Sequence, residues 1–244
     1  MTAVPVQLWW AGPESADESL LALLDPAEVS RYGGYRVASA RRHYLTGRAL
    51  LRVALGRHLG LDPAAVPLRT SCPGCGGPHG RPRLVLPDRA DEALPEVSVS
   101  HSGARVVVAL ALGAPVGVDV QQVDERLDLA ALIPSTLAPA EATALSRLGE
   151  AAGPAAFTRI WTRKEAVLKA LGVGLARPLP QLEVSPPDQP AAVLRWPDVD
   201  VPPRVTLLDV DAGTDHRASL AVFADAVDLS SHDGAALLAR QPRR

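Results

Sequence analysis

The stretch "FTRIWTRKEAVLKALG", residues 157–172, contains Lys164 and Lys169, and the 244-residue chain has no other lysine. Its twenty-three other Lys/Arg positions are all arginines. An Ala-, Arg- and Pro-rich composition of the kind a GC-rich genome gives explains the rarity, but not the location. Lysine carries a compact ammonium on a flexible stem, with a pKa that responds to burial; the planar guanidinium does not imitate it. On a helix turning about 100° per residue, Phe157, Ile160, Val167, Leu168 and Leu171 form one apolar face, with Lys164 inside it. Trp161, Glu165 and Lys169 follow at i, i+4 and i+8 along its border. A lysine in a core-facing stripe must snorkel outward or meet an anion. A plain Glu165–Lys169 helical pair, about 0.2–0.5 kcal/mol, leaves Lys164 unexplained.

Forty residues upstream, "VGVDVQ" (116–121) alternates as a strand, with Val116, Val118 and Val120 on one face and Gly117, Asp119 and Gln121 on the other. An aspartate midway along an apolar strand is costly to bury unless it is paired or metal-bound. The plainer placement is a sheet edge facing water. Glu165, a second carboxylate from a distant element, favours the metal.

Working outward, residues 5–10 read as an opening strand and 37–60 as a helix with Leu45, Ala49, Leu50, Val53, Ala54 and Leu59 on its apolar side and Gly60 at its end. Strands are expected at 97–100 and at "RVVVALAL" (105–112), whose unbroken apolar run suits burial on both faces. Helices are expected at 139–149 and 155–172, and short strands at 204–210 and 217–224. Each half, 1–115 and 116–244, thus combines helix and strands. No sequence repeat relates them.

A hydrophobic content of 47% and a charged content of 21% suit a globular chain with a real core, and a formal net charge of −2 argues against a general nucleic-acid binder. No apolar run approaches the roughly 18–20 residues of a membrane span. "MTAVPVQLWWAG" lacks a basic start and a signal-type core, so a cytoplasmic location is expected. Cys72, Cys75 and His79 in "SCPGCGGPHGRP" (71–82) could give three zinc ligands, one short of a closed structural site; a turn-rich loop is the stronger reading.

Two carboxylates from separate elements suit Mg²⁺, which takes one or two protein carboxylates and leaves positions for water and phosphate oxygens. Neighbouring ammonium groups suit phosphate. "VSVSHSG" (97–103) ends a strand in Ser100, His101 and Ser102, which can hydrogen-bond phosphate. It lacks the G-x-S-x-G elbow of a serine nucleophile. Arg81 and the helix arginines Arg41, Arg42 and Arg48 are further phosphate candidates.

"GVDVQ" followed some forty residues later by "WTRKEAVLKA", with "SHSG" before them, resembles the signature motifs of 4'-phosphopantetheinyl transferases. The resemblance covers roughly residues 36–175, and length and organisation look like the Sfp (surfactin-synthetase-activating) type rather than the short, trimeric holo-acyl-carrier-protein-synthase type. It implies an α+β (α/β) fold: a pseudo-two-fold monomer of two similar halves, each a small sheet with packed helices. Coenzyme A contacts fall to the first half, and metal, catalytic residues and carrier docking to the second. The implied reaction is Mg²⁺-dependent transfer of the phosphopantetheine arm of coenzyme A to a serine of an acyl or peptidyl carrier protein, with no nucleic-acid or membrane partner. By the same resemblance Asp119, Gln121 and Glu165 would hold Mg²⁺, and Glu165 and Lys169 would act in catalysis with Asp119. Arg41, Arg42, Arg48, Arg81, Ser100, His101, Lys164 and Lys169 would contact coenzyme A. Glu141 would be the family's additional acidic residue. Gln121 departs from the pattern, since many members carry a third acid there. The rival readings are a non-catalytic coenzyme A- or nucleotide-binding protein, and an interaction protein built on a Cys72–Cys75–His79 metal knot. Carriers are acidic around their serine, so Arg126, Arg159, Arg163 and Arg177 are expected to form a basic docking surface near 139–149 and the loop after Gly172.

Overall fold

The computed structural model describes residues 2–70, 76–77, 80–86, 94–172, 178–196 and 204–242. Cys72, Cys75, His79 and Arg177 lie outside them. Along the chain the elements are β1 (Val4–Ala11), α1 (Pro26–Gly34), α2 (Ala38–Leu59), β2 (Leu68–Thr70), β3 (Pro82–Leu84), β4 (Pro95–Ser102) and β5 (Arg105–Leu112). Then follow β6 (Val116–Gln122), α3 (Leu129–Thr136), α4 (Pro139–Ser146), α5 (Gly153–Leu171), β7 (Glu183–Val184), β8 (Val193–Arg195), β9 (Thr206–Val210), β10 (His216–Val222), β11 (Val227–Asp233) and α6 (Gly234–Ala239). The fold is mixed α+β with several small sheets, as expected.

The chain divides into two compact units. The N-terminal unit holds residues from Pro5 to Gly113 and those from Asp228 onward; the C-terminal unit holds Ala114–Val227 and the first residues of the chain. The sequence reading places all of 116–244 in one half. The structure differs at the tail because β11 adds beside β1 and α6 buries Leu237 and Leu238 in the N-terminal core.

In the N-terminal unit the sheet runs β11-β1-β5-β4. β5 is central and pairs antiparallel with both β1 and β4, so Val106 to Ala111 are buried on both faces. That is the placement its unbroken apolar run implies. Helix α2 lays Leu45, Ala49, Leu50 and Val53 against this sheet and stops at Gly60, whose φ of 69° is the left-handed cap that glycine adopts without strain. Its Arg52 is only 1% exposed, with Nε on Glu28 at 2.7 Å, Nη2 on Asp25 at 3.1 Å and Nη1 toward the carbonyl of Val66.

In the C-terminal unit the sheet runs β6-β10-β9, antiparallel throughout, with α5 packed across β6 and β10. The core of this unit gathers Phe157, Ile160, Val167 and Leu168 of α5 with Leu182, Val184 and Leu207. Strand and helix come into close approach at Gly117. A Cβ built there would sit 2.0 Å from the carbonyl oxygen of Ala166 and 2.5 Å from the amide nitrogen of Ala170. Strand and helix backbones therefore touch, and only glycine permits it.

Gly117→Ala is expected to force β6 and α5 apart and to lower the unfolding free energy by about 1–3 kcal/mol, the usual cost of overpacking. Gly33→Ala, with nothing within 4 Å of its Cβ, is the control. Urea denaturation measures both, and equal midpoints would contradict the flush contact.

Candidate active site

Gly117 and Asp119 share the strand face that meets α5, because side chains two residues apart point the same way. Asp119 is 6% exposed, and its Oδ1 accepts from Lys169 Nζ at 2.6 Å; the same ammonium donates to the carbonyl of Val118 at 3.2 Å. Lys169 thus reaches across to the strand, where the sequence left a pair along the helix with Glu165 as the simplest option. Glu165 lies one turn earlier on α5, half-buried, and its Oε1 is buried with no hydrogen-bond partner. Burial pushes the Glu165 carboxyl up, and the charge of Asp119 pushes it further, while Lys169 pulls it down. Two carboxylates and one ammonium therefore meet where β6 passes α5. Gln121, on the same face at the end of β6, is exposed.

Lys164 is a correction. It is fully buried, forms an ion pair with Glu141, and donates to the carbonyls of Thr136 at 2.8 Å and Leu179 at 3.0 Å. These contacts occupy its three donors, so it is not a phosphate ligand. The anion that its place in the apolar stripe demanded is Glu141, which also accepts the amides of Ala138 at 2.7 Å and Val184 at 2.8 Å. Burial pushes Glu141 up and Lys164 down, and each charge offsets the shift of the other.

Arg163 is a second correction, to the docking surface. It is 0% exposed and grips Asp209 through two bonds, Nε to Oδ1 at 2.9 Å and Nη2 to Oδ2 at 2.7 Å. It also donates to the carbonyls of Ser185, Pro186 and Gln189. Asp209 Oδ1 accepts from Ser219, whose hydroxyl lies 3.0 Å from that of Thr162, and Ser219 is the cross-strand partner of Asp119. Neither Asp209 nor Ser219 was singled out by the sequence. Arg159 is half-exposed and bonds the carbonyl of Pro187, while the Arg126 side chain is 92% exposed.

The N-terminal unit carries the other candidates. Ser100 is buried and His101 exposed at the end of β4. Arg81 is half-buried, with Nε on the carbonyl of Val97 and Nη2 on Glu96, both at 2.8 Å. On α2, Arg41 and Arg42 are exposed, and Arg41 donates to the carbonyl of Tyr35. The Arg48 side chain is only 12% exposed, 3.7 Å from Glu28 and over the Tyr44 ring. His43, which sequence reasoning passed over, stacks on His101.

Residues 115–221, the segment from β6 to β10 that bears Asp119, Glu165 and Lys169, match the family model of the 4'-phosphopantetheinyl transferase superfamily. The 4'-phosphopantetheinyl transferase HetI of Nostoc sp. is 31% identical over 186 residues, which cover 76% of this chain and 75% of that protein. The chain belongs to the 4'-phosphopantetheinyl transferase superfamily. A 4'-phosphopantetheinyl transferase of Bacillus subtilis is 26% identical over 197 residues, 78% of this chain and 79% of the relative. A phosphopantetheinyl transferase of Thraustochytrium sp. is 28% identical over 177 residues, covering 68% and 58%.

The donor set of this transferase-family chain fits a hard dication. Among the described residues no group of three or more His, Cys, Asp or Glu side chains converges on a metal position. Mg²⁺ needs only one or two carboxylates, however, and keeps water on its other positions. The partnerless buried oxygen of Glu165 beside Asp119 is the kind of acceptor that such an ion satisfies.

A pH signature follows for the metal-free protein. The folded pKa of Glu165 lies above its ordinary value of 4.5. Its contribution to stability is therefore fully present below that value and is lost as pH rises through the folded pKa. Glu165→Gln cannot ionise, so its stability relative to the parent is expected to grow as pH rises above 4.5. Urea midpoints in chelator measure this; parallel curves would remove the raised carboxyl.

Proposed function

We propose that this protein transfers the 4'-phosphopantetheine arm of coenzyme A to a serine of an apo acyl or peptidyl carrier protein, releasing adenosine 3',5'-bisphosphate. We assign it to the Sfp type, acting as a monomer in the cytoplasm. The observation that carries the reading is the cluster of Asp119, Glu165 and Lys169 at the β6–α5 contact, inside the segment that matches the superfamily.

Asp119 and Glu165 would hold Mg²⁺, which when bound neutralises charge on the pyrophosphate oxygens. The remaining work falls to the chain. Lys169, its side chain 28% exposed and anchored on Asp119, places an ammonium where the departing phosphate gathers charge. Glu165 is the proposed acceptor for the proton of the attacking serine hydroxyl. The transfer is phosphoryl-type, so positioning and charge stabilisation dominate. In the N-terminal unit, Ser100, His101, Arg81, Arg41, Arg42 and Arg48 are the proposed phosphate contacts, the last with a buried Nη1 that has no hydrogen-bond partner. The neutral, exposed Gln121 favours a second reading, a protein that binds coenzyme A without turnover.

Labelled coenzyme A and a panel of apo carriers, with and without Mg²⁺, test this. Transfer that needs Mg²⁺ is expected, and binding without transfer to any carrier would favour the second reading. Asp119→Ala and Glu165→Ala should each lose at least about 10²–10³ in turnover, the scale of a lost transition-state contact, with unchanged far-UV circular dichroism. Lys169→Arg should fall between them and the parent, since a planar fork replaces a point donor. With Arg126 and Arg159 as docking charges, the Michaelis constant for the carrier should rise with salt more than that for coenzyme A. Equal responses would reject electrostatic docking.

A further inference from the structure

Asp119 on β6, Ser219 on β10 and Asp209 on β9 stand opposite one another, so they form one row across one face of the sheet. Helix α5 bonds every member of that row. Lys169 Nζ donates to Asp119 at 2.6 Å, the Thr162 hydroxyl lies 3.0 Å from that of Ser219, and Arg163 grips Asp209 at 2.9 and 2.7 Å. Thr162 and Ser219 are both fully buried. Each hydroxyl also has an acceptor of its own: Asp209 Oδ1 lies 3.3 Å from Ser219, and the carbonyl of Arg159 lies 3.0 Å from Thr162. Thr162 can therefore donate to Ser219 and Ser219 to Asp209, or Ser219 to Thr162 and Thr162 to the carbonyl. Both arrangements keep a proton between the hydroxyls.

Thr162, Glu165 and Lys169 follow at i, i+3 and i+7, within an arc of about 60° on α5. Glu165 thus sits between two bonds to the sheet, Thr162 to Ser219 and Lys169 to Asp119, about 10 Å apart along the helix. Gly117 sets how closely the helix approaches the strand, but not where along it the helix stops. Apolar contact does not set this sharply either, because it is non-directional, whereas a hydrogen bond responds to length and angle. Stability alone does not call for the hydroxyls. Val and Ala would fill nearly the same space with no polar group to bury.

We propose that Thr162 and Ser219 are positioning residues, whose bond holds α5 in the axial register that sets Glu165 beside Asp119 for a divalent cation. This rests on the reading of Asp119 and Glu165 as the Mg²⁺ ligands of a coenzyme A-dependent transferase. The two hydroxyls act through helix and sheet, not on the reacting atoms.

The test uses Thr162→Val and Ser219→Ala, which each remove one hydroxyl, their double variant, and Thr162→Ser, which keeps the hydroxyl. Ile160→Val trims a fully buried side chain on the apolar face of α5 and is the reference for lost packing outside the row. Mn²⁺, a paramagnetic stand-in for Mg²⁺, is titrated in the presence of coenzyme A and followed by electron paramagnetic resonance, with Asp119→Ala defining the site. The transfer assay gives kcat and the Mg²⁺ concentration for half-maximal rate. Thr162→Val and Ser219→Ala are each expected to weaken Mn²⁺ binding about tenfold, the low end for groups behind metal ligands, and to raise the Mg²⁺ requirement alike. The double variant should lose no more than either single one, because both remove the same bond. Thr162→Ser and Ile160→Val should stay within about twofold of the parent. If one hydroxyl-less variant does not fold, the other decides. Unchanged Mn²⁺ affinity in the hydroxyl-less variants of a parent that transfers the arm overturns the positioning role alone, as does equal weakening in Ile160→Val. A parent whose Mn²⁺ binding survives Asp119→Ala, or that binds none, overturns the reading of the site, and this assignment with it.

Discussion

The backbone of β6 lies directly on the backbone of α5 at Gly117, and the meeting of Asp119, Glu165 and Lys169 depends on that contact. A side chain at 117 would stand where the Ala166 carbonyl already is. With the two backbones touching, Asp119, two residues along on the same face, comes beside the turn of α5 that carries Glu165 and Lys169. The separation of the acids is thereby set by main chain, which varies less than any pair of rotamers. The same contact withdraws Glu165 from water next to a like charge, an unfavourable placement for an isolated carboxylate. Such local conflicts are expected where function rather than folding has chosen the residue.

Around that contact the basic residues of α5 divide by shape. Arg163 fits a planar arrangement: a bidentate grip on Asp209 and a row of carbonyls from 185 to 189. Lys164 fits a compact one, with Glu141, Thr136 and Leu179 around a single nitrogen. Exchanging the two would leave donors unspent on one side and acceptors unmet on the other. Lys169, at the edge of the packed region, keeps partial exposure and so can serve a ligand. The two lysines of the chain therefore have different work. One closes the interior, and one stays partly exposed beside Asp119.

This division shows what the sequence could and could not tell. The helices 37–60 and 155–172 and the strands at 5–10, 105–112 and 116–121 were legible, because each follows from periodicity; the ion pair of Lys169 with Asp119 was not, since Glu165 on the same helix offered a nearer partner. The burial of Lys164 was half legible: a helical wheel says which face a residue lies on, but not what stands opposite. Its partner Glu141 is 23 residues away on another helix, and Asp209, which holds Arg163, is 46 residues away. Nothing local announces either. β11 and α6 escaped for another reason. "VDLSSHD" has no clean alternation, so only its place beside β1 reveals it as a strand. His43 looked like one more polar residue among arginines until the β4–β5 turn was seen against it.

Charge follows the same logic. The chain is nearly neutral, yet residues 29–61 contain seven arginines and no acid. Read as a number, that segment is a phosphate-binding helix. Read in the structure, it is three different things. Arg52 is spent on Glu28, Asp25 and backbone carbonyls inside the unit. Arg48 leans on Glu28 and the Tyr44 ring. Arg41 and Arg42 stay at the surface on the turn that also presents His43. Buried arginines fix the helix against Glu28 of α1 and its capping Asp25, and that fixing points the exposed ones. A buried pair contributes little net stability once desolvation is counted, but removing one partner is costly. The inner arginines are therefore best understood as constraints on geometry, and the outer ones as the positive charge that this helix shows to solvent.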